Sequence, residues 1–274
     1  MVRTIRSGNV IEKTCFPVAP NVKPRSARKK GNTLQRKQDA NERSATKRLA
    51  RLLNCNFKPG DLLLSPSYNE KAMEKLCGGT DREDMDGLRK KAEHEIELFL
   101  RRLKRELGKQ GIELKYIAVT SDMDGDTGEA VRIHHHLVIP AEGIRMEEGI
   151  LYVGSKPISS IWGKGHIDYR PLSHQDDYTP LAEYLMRQVR RMTDAKKYKP
   201  SRNLKKPKLV SERIIYIAKE LRIPKGAKLI YRSAYMPGEA QYIRYVEGKK
   251  EDKDRGKTED TARKRRTTGA HTVG

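Results

Sequence analysis

The chain has 274 residues, 58 of them Lys or Arg against 36 Asp or Glu, for a formal net charge of +22. Charge of that size makes a polyanion the expected partner, because basic side chains displace counterions from nucleic-acid phosphates. No run approaches the roughly 18 apolar residues of a spanning helix, and no apolar signal core follows Met1. This sets aside a membrane protein in favour of a cytoplasmic one.

Residues 1–36 hold Pro17, Pro20, Pro24 and the basic run Arg25–Lys30, and read as a disordered basic arm. Residues 37–247 read as one domain, with a C-terminal extension from about residue 200, and 248–274 as a disordered charged tail. Asn41–Leu53 is predicted helical, with Ala45, Leu49, Leu52 and Leu53 on one side. A turn over Asn56–Asp61 leads into a strand through Leu62, Leu63 and Leu64. Across 84–108, Met85, Leu88, Ala92, Ile96, Phe99, Leu103 and Leu107 recur at steps of three and four, the stripe of an amphipathic helix. Gly108 and Gly111 end it.

Tyr116–Thr120 and Val131–Ile139 read as strands joined by a polar turn through Gly125. Ile158–Trp162 reads as a short helix that makes Trp162 a core anchor, and Gly165–Tyr169 as a strand. Pro180 suits the first turn of a helix running to about Met192. The extension is expected to add a helix near 211–222 and a hairpin through Leu229–Tyr231 and Tyr242–Tyr245. This order predicts an α+β fold: an antiparallel sheet with helices packed on one face and the other face free for ligand. Cys15, Cys55 and Cys77 show no Cys-x-x-Cys spacing and read as reduced thiols.

The most informative run is His134-His135-His136, which holds three of the chain's seven histidines inside the strand. Side chains on a strand alternate, so His134 and His136 share a face and His135 takes the other. Two imidazoles two residues apart on one face can reach one divalent ion. Downstream, Tyr184 sits on a helix with Arg187 one turn later on the same side. A phenol titrates near about 10 and is a poor nucleophile at neutral pH. A divalent ion on a phosphate oxygen and a nearby cation would offset the charge that its attack builds. Taken alone, Tyr184 reads equally as an amphipathic core residue with its hydroxyl at the surface. Tyr178 lies before the helix start and, on any continued helix, on another face.

Taken together, Asn56–Asp61, Glu113–Thr120, Arg132–Ile139, Ile161–Gly165, Leu181–Leu185 and Ser201–Pro207 resemble the His-hydrophobic-His (HUH) rolling-circle replication initiators of small phages, plasmids and integrated elements. The resemblance covers about residues 38–210. It implies a ferredoxin- or RRM-like variant of the antiparallel sheet, and a site-specific endonuclease dependent on Mg²⁺ or Mn²⁺. Such an enzyme nicks single-stranded DNA at a replication origin through a 5′-phosphotyrosyl intermediate and leaves a 3′-hydroxyl primer. Tyr184 would be the nucleophile, with Arg187 beside it, and His134 and His136 the metal ligands. Arg202, Lys205 and Lys206 in the basic loop would contact DNA.

Several positions depart from the family pattern. His135 stands where an apolar residue is usual, and Arg187 where a lysine is, which keeps the charge but alters its geometry. Ser121 stands where an acidic ligand often follows the Val-Thr pair; Asp122 is the nearest substitute, with Asp124 and Glu129 as rivals. Pro66 cannot donate to a ladder and marks an edge or bulge. No Gly-x-x-x-x-Gly-Lys loop is present, so host helicase and polymerase are the expected partners. The alternatives are a non-catalytic basic nucleic-acid-binding protein, or a relaxase or transposase of the same superfamily.

Overall fold

The structure, a computed structural model, describes residues 1–17, 35–78, 84–190, 196–215 and 220–248. It opens on a hairpin, β1 (Val2–Ser7) and β2 (Val10–Cys15), turned through Gly8 at φ 62°. A Cβ at Gly8 would lie 2.2 Å from the carbonyl oxygen of Asn54, so only glycine lets this turn seat on the following helix. Residues 2–15 are therefore paired strands, which corrects the expectation of a disordered arm over 1–36. The basic run Arg25–Lys30 lies outside the described residues.

There follow α1 (Gln35–Asn56), β3 (Leu62–Pro66), α2 (Glu70–Cys77), α3 (Met85–Gly108), β4 (Ile117–Met123) and β5 (Ala130–Ile139). Next come β6 (Ile144–Glu147), β7 (Ile150–Val153), β8 (Lys156–Pro157), α4 (Ile158–Trp162), β9 (Ile167–Pro171) and α5 (Thr179–Arg187). The chain continues through β10 (Lys199–Pro200), β11 (Lys208–Arg213), β12 (Lys228–Arg232) and β13 (Gln241–Val246). The fold is α+β with antiparallel sheets.

The central sheet runs β10-β4-β5-β3-β9, antiparallel at every pairing. The alternation of β5 divides its residues between two layers. Ile133, His135, Leu137 and Ile139 face the layer of α3 and α4, where Phe99, Leu103, Ile158 and Trp162 are buried. Val138 joins the opposite cluster, with Ile117 and Val119 of β4, Leu49 and Leu53 of α1, and Ala182 and Leu185 of α5. Helices therefore cover both faces, which corrects the expectation of one free face. The apolar side of α1, with Ala45, Leu49, Leu52 and Leu53, is legible in the sequence, but which face of the sheet it caps is not.

Local chemistry explains most boundaries. Asp84 caps α3 by accepting from Gly87 N at 2.8 Å, and Asn69 caps α2 through Ala72 N. Pro66 pairs with Ile167 of β9 beyond the point where the β3–β5 ladder ends at Leu64, so its missing N–H costs no bond there. Trp162 is 1% exposed and donates its indole N–H to Ser67 O at 2.8 Å, a core anchor as expected. Asp61 is spent structurally, accepting from the backbone N–H groups of Lys58 and Ala141.

The C-terminal extension departs from its predicted form. Of the helix expected near 211–222, residues 211–213 belong to the strand Lys208–Arg213 and 216–219 lie outside the described residues, while the hairpin near 229–245 is present as β12 and β13. These strands build a second sheet with the N-terminal hairpin, in the order β11-β1-β2-β13-β12. One face lies on α1: Glu12 accepts from Arg51 Nε and Nη2 at 2.9 and 2.7 Å and from the Tyr242 hydroxyl at 3.0 Å. The other face carries a small cluster of Val2, Ile11, Ile243, Tyr245 and Leu221. The tail from residue 249 lies outside the described residues. No helix among the described residues is long and apolar enough to cross a membrane.

Candidate active site

The two faces of β5 give its three histidines different surroundings. His135 is fully buried on the α3 side, between the Tyr68 hydroxyl (2.7 Å from Nε2) and the Thr120 hydroxyl (3.1 Å from Nδ1), with Trp162 beside it. Burial, aided by the neighbouring histidines and Arg89, pushes its pKa down to about 3, so it is a neutral core residue.

His134 and His136 point to the other face, their rings 4.9 Å apart and their Nε2 atoms 3.2 Å apart. The Nδ1 of His134 lies 2.9 Å from Arg132 O, which can only accept, so Nδ1 carries the proton and Nε2 is left with its lone pair. The Nδ1 of His136 lies 3.2 Å from Ser65 Oγ on the neighbouring β3, a hydroxyl able to hold the ring's orientation. Burial first, then the proximity of His134, lowers the pKa of His136 to about 4. Both rings thus turn Nε2 to one point.

The helix α5 approaches that point over β4. Tyr184 is 38% exposed, and its ring stands 5.6 Å from that of His136. The helix stops at Arg187, short of the expected Met192, because the next residue docks on a bulge in β4. There the N–H groups of Asp122 and Met123 both donate to Gln188 O at 3.2 Å. A Cβ at Gly125 would lie 3.3 Å from Gln188 Cγ and 3.4 Å from Arg187 Cβ, so the β4–β5 turn needs a small residue where α5 ends. Anchored this way, Gln188 sets Oε1 2.6 Å from His136 Nε2. The sequence reading missed Gln188, although four residues after Tyr184 on a helix is the same face.

Asp122 is not brought to the histidines, which corrects its assignment as metal ligand. Its side chain is 1% exposed and lies on the α3 side, 3.3 Å from Arg89 Nη1 and 2.8 Å from Arg190 Nε. It also accepts from Arg190 N at 3.2 Å. Ser121, paired with His134 across the ladder, occupies the strand position on the histidine face. Of the rivals, Asp124 is used by the N–H groups of Asp126 and Thr127. No cluster of three His, Cys, Asp or Glu forms among the described residues.

Even so, the donors present fit a divalent ion. Ligands at right angles on an octahedral cation with bonds of about 2.1 Å stand about 3 Å apart. The two Nε2 atoms, at 3.2 Å, have that spacing, and the amide oxygen of Gln188 adjoins one of them.

The remaining predicted residues are distributed more widely. Arg187 is exposed and, among the described residues, pairs with Asp126 at 3.8 Å. Tyr178 is buried in the α1–α5 core, and burial pushes its hydroxyl up to about 12, so it makes no rival nucleophile. Arg202, Lys205 and Lys206 are exposed, on a loop tied down by Ser201 and Asn203 to residues 114–116, and by the Lys205 backbone to Asn56. That loop adjoins the start of β4, five residues from the Ser121 that faces His134, roughly 17 Å along a strand. It stands beside the histidine face and not within it.

Compared with known protein families, curated protein sequences and solved structures, the chain has no match.

Proposed function

We propose that the chain is a metal-dependent, single-strand DNA nicking and joining enzyme of the HUH type, acting at a replication origin of rolling-circle kind. The observation that carries the reading is the convergence of Tyr184, His134 and His136. A solvent-reachable phenol stands beside two imidazoles whose Nε2 atoms are turned toward one another. A basic nucleic-acid-binding protein without chemistry has no use for that grouping. The basic charge of +22 supports a polyanionic substrate but does not choose among them.

In the proposed reaction the Tyr184 hydroxyl attacks a backbone phosphorus. A bond forms from its oxygen to phosphorus, and the bond from phosphorus to the 3′-oxygen breaks. The phenol loses its proton as the departing 3′-oxygen gains one. The 5′ side stays on the enzyme as a phosphodiester, so the bond energy is kept and a later 3′-hydroxyl can reverse the attachment. His134, His136 and Gln188 would hold the divalent ion, which when bound polarises a non-bridging phosphate oxygen. Ser65 and the Arg132 carbonyl orient the rings, and Arg187, a turn beyond Tyr184, would offset the negative charge that builds on the phenol oxygen as its proton leaves.

The test is to incubate the protein with 5′- and 3′-labelled single-stranded origin DNA and Mn²⁺, then denature. A covalent adduct carrying the 3′-label, absent with Tyr184→Phe, is the expected result. An adduct of equal yield with Tyr184→Phe refutes the assignment.

A further inference from the structure

The second sheet carries a feature the nicking reaction does not use. On the face turned away from α1, Arg213, Val2 and Cys15 pair across β11, β1 and β2 in one row, and Ser211, Thr4 and Lys13 in the next. With Ile215, Glu220–Arg222 and Tyr235 opposite, these rows line a cavity of about 750 Å³, within the ~300–1,000 Å³ of small-molecule sites. One wall is fixed: Leu221 N donates to the buried Gln241 side chain at 2.7 Å.

The charges there are unbalanced. Elsewhere on the same sheet each arginine meets a carboxylate: Arg3 with Glu212 at 2.9 Å, Arg6 with Glu247 at 2.5 Å, and Arg244 with Asp177 at 3.0 Å. Lys13, Arg213 and Arg222 have no carboxylate partner among the described residues. The one acid of the cavity, Glu220, is taken by Arg232 at 2.9 Å. Burial, and then Arg213, lowers the pKa of Lys13, as expected of cations held together without an anion between them. Such a cluster costs folding stability that a bound anion would return. The floor is apolar, from Val2, Ile215 and Leu221, and the Tyr235 ring at the rim is 38% exposed.

We infer that this cavity is a second single-strand DNA subsite, in which Arg213, Arg222 and Lys13 hold backbone phosphate and Tyr235 stacks on an unpaired base. Cations beside an apolar floor with an aromatic edge suit a nucleotide; an acidic peptide would use the charge and leave the ring and floor idle. The inference rests on single-stranded DNA being the substrate of Tyr184, but its test needs no cleavage.

The test measures binding of the full chain to a fluorescent, random-sequence single-stranded 20-mer across a salt series. Arg213 and Arg222 are both exposed, so Arg213→Glu/Arg222→Glu leaves the fold intact. It should weaken binding about tenfold or more and lower the salt slope by about 1.4, the loss of two phosphate contacts. Tyr235→Ala should cost about fivefold or more with the slope unchanged. Lys71→Glu/Lys104→Glu, exposed on α2 and α3, is the charge-matched control and should cost less than threefold. The inference is overturned if the two double variants lose affinity equally, if Tyr235→Ala binds at full strength, or if duplex DNA of the same length shows the same losses. A chain that shows these losses yet never forms an adduct would refute the nickase reading and leave this subsite standing.

Discussion

Replacing Asp122 with alanine separates two roles that one carboxylate could play. A metal ligand at a half-open site contributes little to stability, so its loss would leave a folded protein without activity. In this structure Asp122 is 1% exposed and faces Arg89, whose own side chain is 2% exposed, and Arg190, which is 27% exposed. Arg89 keeps Thr120 O at 2.8 Å and Glu93 at 3.1 Å, but its Nη1 has no hydrogen-bond partner and only Asp122 nearby. Removing the acid takes away the buried counter-charge and leaves Arg89 only the partly exposed Glu93, which costs about 3–5 kcal/mol. It also frees the Arg190 N–H that ties down the segment after α5. With a urea dependence of about 2 kcal/mol per M, the midpoint should fall by roughly 1.5–2.5 M. Equilibrium urea unfolding followed by circular dichroism measures it. Arg89→Met/Asp122→Leu should recover most of the midpoint, since apolar replacement of a buried pair is often neutral, and should still bind Mn²⁺. Unchanged stability in Asp122→Ala, together with lost Mn²⁺ affinity, would refute this reasoning and return Asp122 to the ligand set.

Gln188→Ala should weaken Mn²⁺ binding about tenfold, read by calorimetry, while leaving the unfolding free energy within about 1 kcal/mol of the parent, a urea midpoint shift of about 0.5 M or less; Gln188→Glu should retain or tighten Mn²⁺ binding. His134→Ala and His136→Ala should each abolish Mn²⁺-dependent nicking in a folded protein. His135→Ala should instead lower stability by about 2–4 kcal/mol, through a cavity and the orphaned hydroxyls of Tyr68 and Thr120, with nicking retained by the folded fraction. Deleting residues 1–17 should unfold the second sheet, seen as lost amide protection in β13, because β1 and β2 are its inner strands.

The elements legible in the sequence are those whose signal is local. The stripe of α3, the proline opening α5 and the alternation of β5 each depend on neighbours a few residues away, and all three stand close to where periodicity put them. What was not legible depended on distant partners. Pro17, Pro20, Pro24 and the basic run Arg25–Lys30 make the whole of 1–36 read as an arm, yet Val2–Cys15 is held as strands by partners such as Glu212 and Glu247, which meet Arg3 and Arg6 from more than 200 residues on. The helix expected near 211–222 starts inside a strand for a related reason: an exposed edge strand that pairs on one side only lacks the apolar alternation of a half-buried one.

The site shows the same division. Strand parity alone separates His134 and His136 from His135, and the helix alone offers Tyr184. The third donor depends on a bulge: between Ser121 and Met123 the β4–β5 register shifts, two N–H groups turn to Gln188 O, and the helix is stopped with its amide over His136. A bulge re-aims side chains without an unmistakable mark in the sequence. Counting from the Val-Thr pair therefore leads to an acid that the fold spends on two arginines. If the site holds a divalent ion as proposed, an amide in place of a carboxylate would leave it one negative charge poorer in ligands, and so a stronger Lewis acid toward phosphate. On the proposed reading the ion would also bind more weakly, so nicking should need a higher Mn²⁺ concentration for half-maximal rate than in the Gln188→Glu variant.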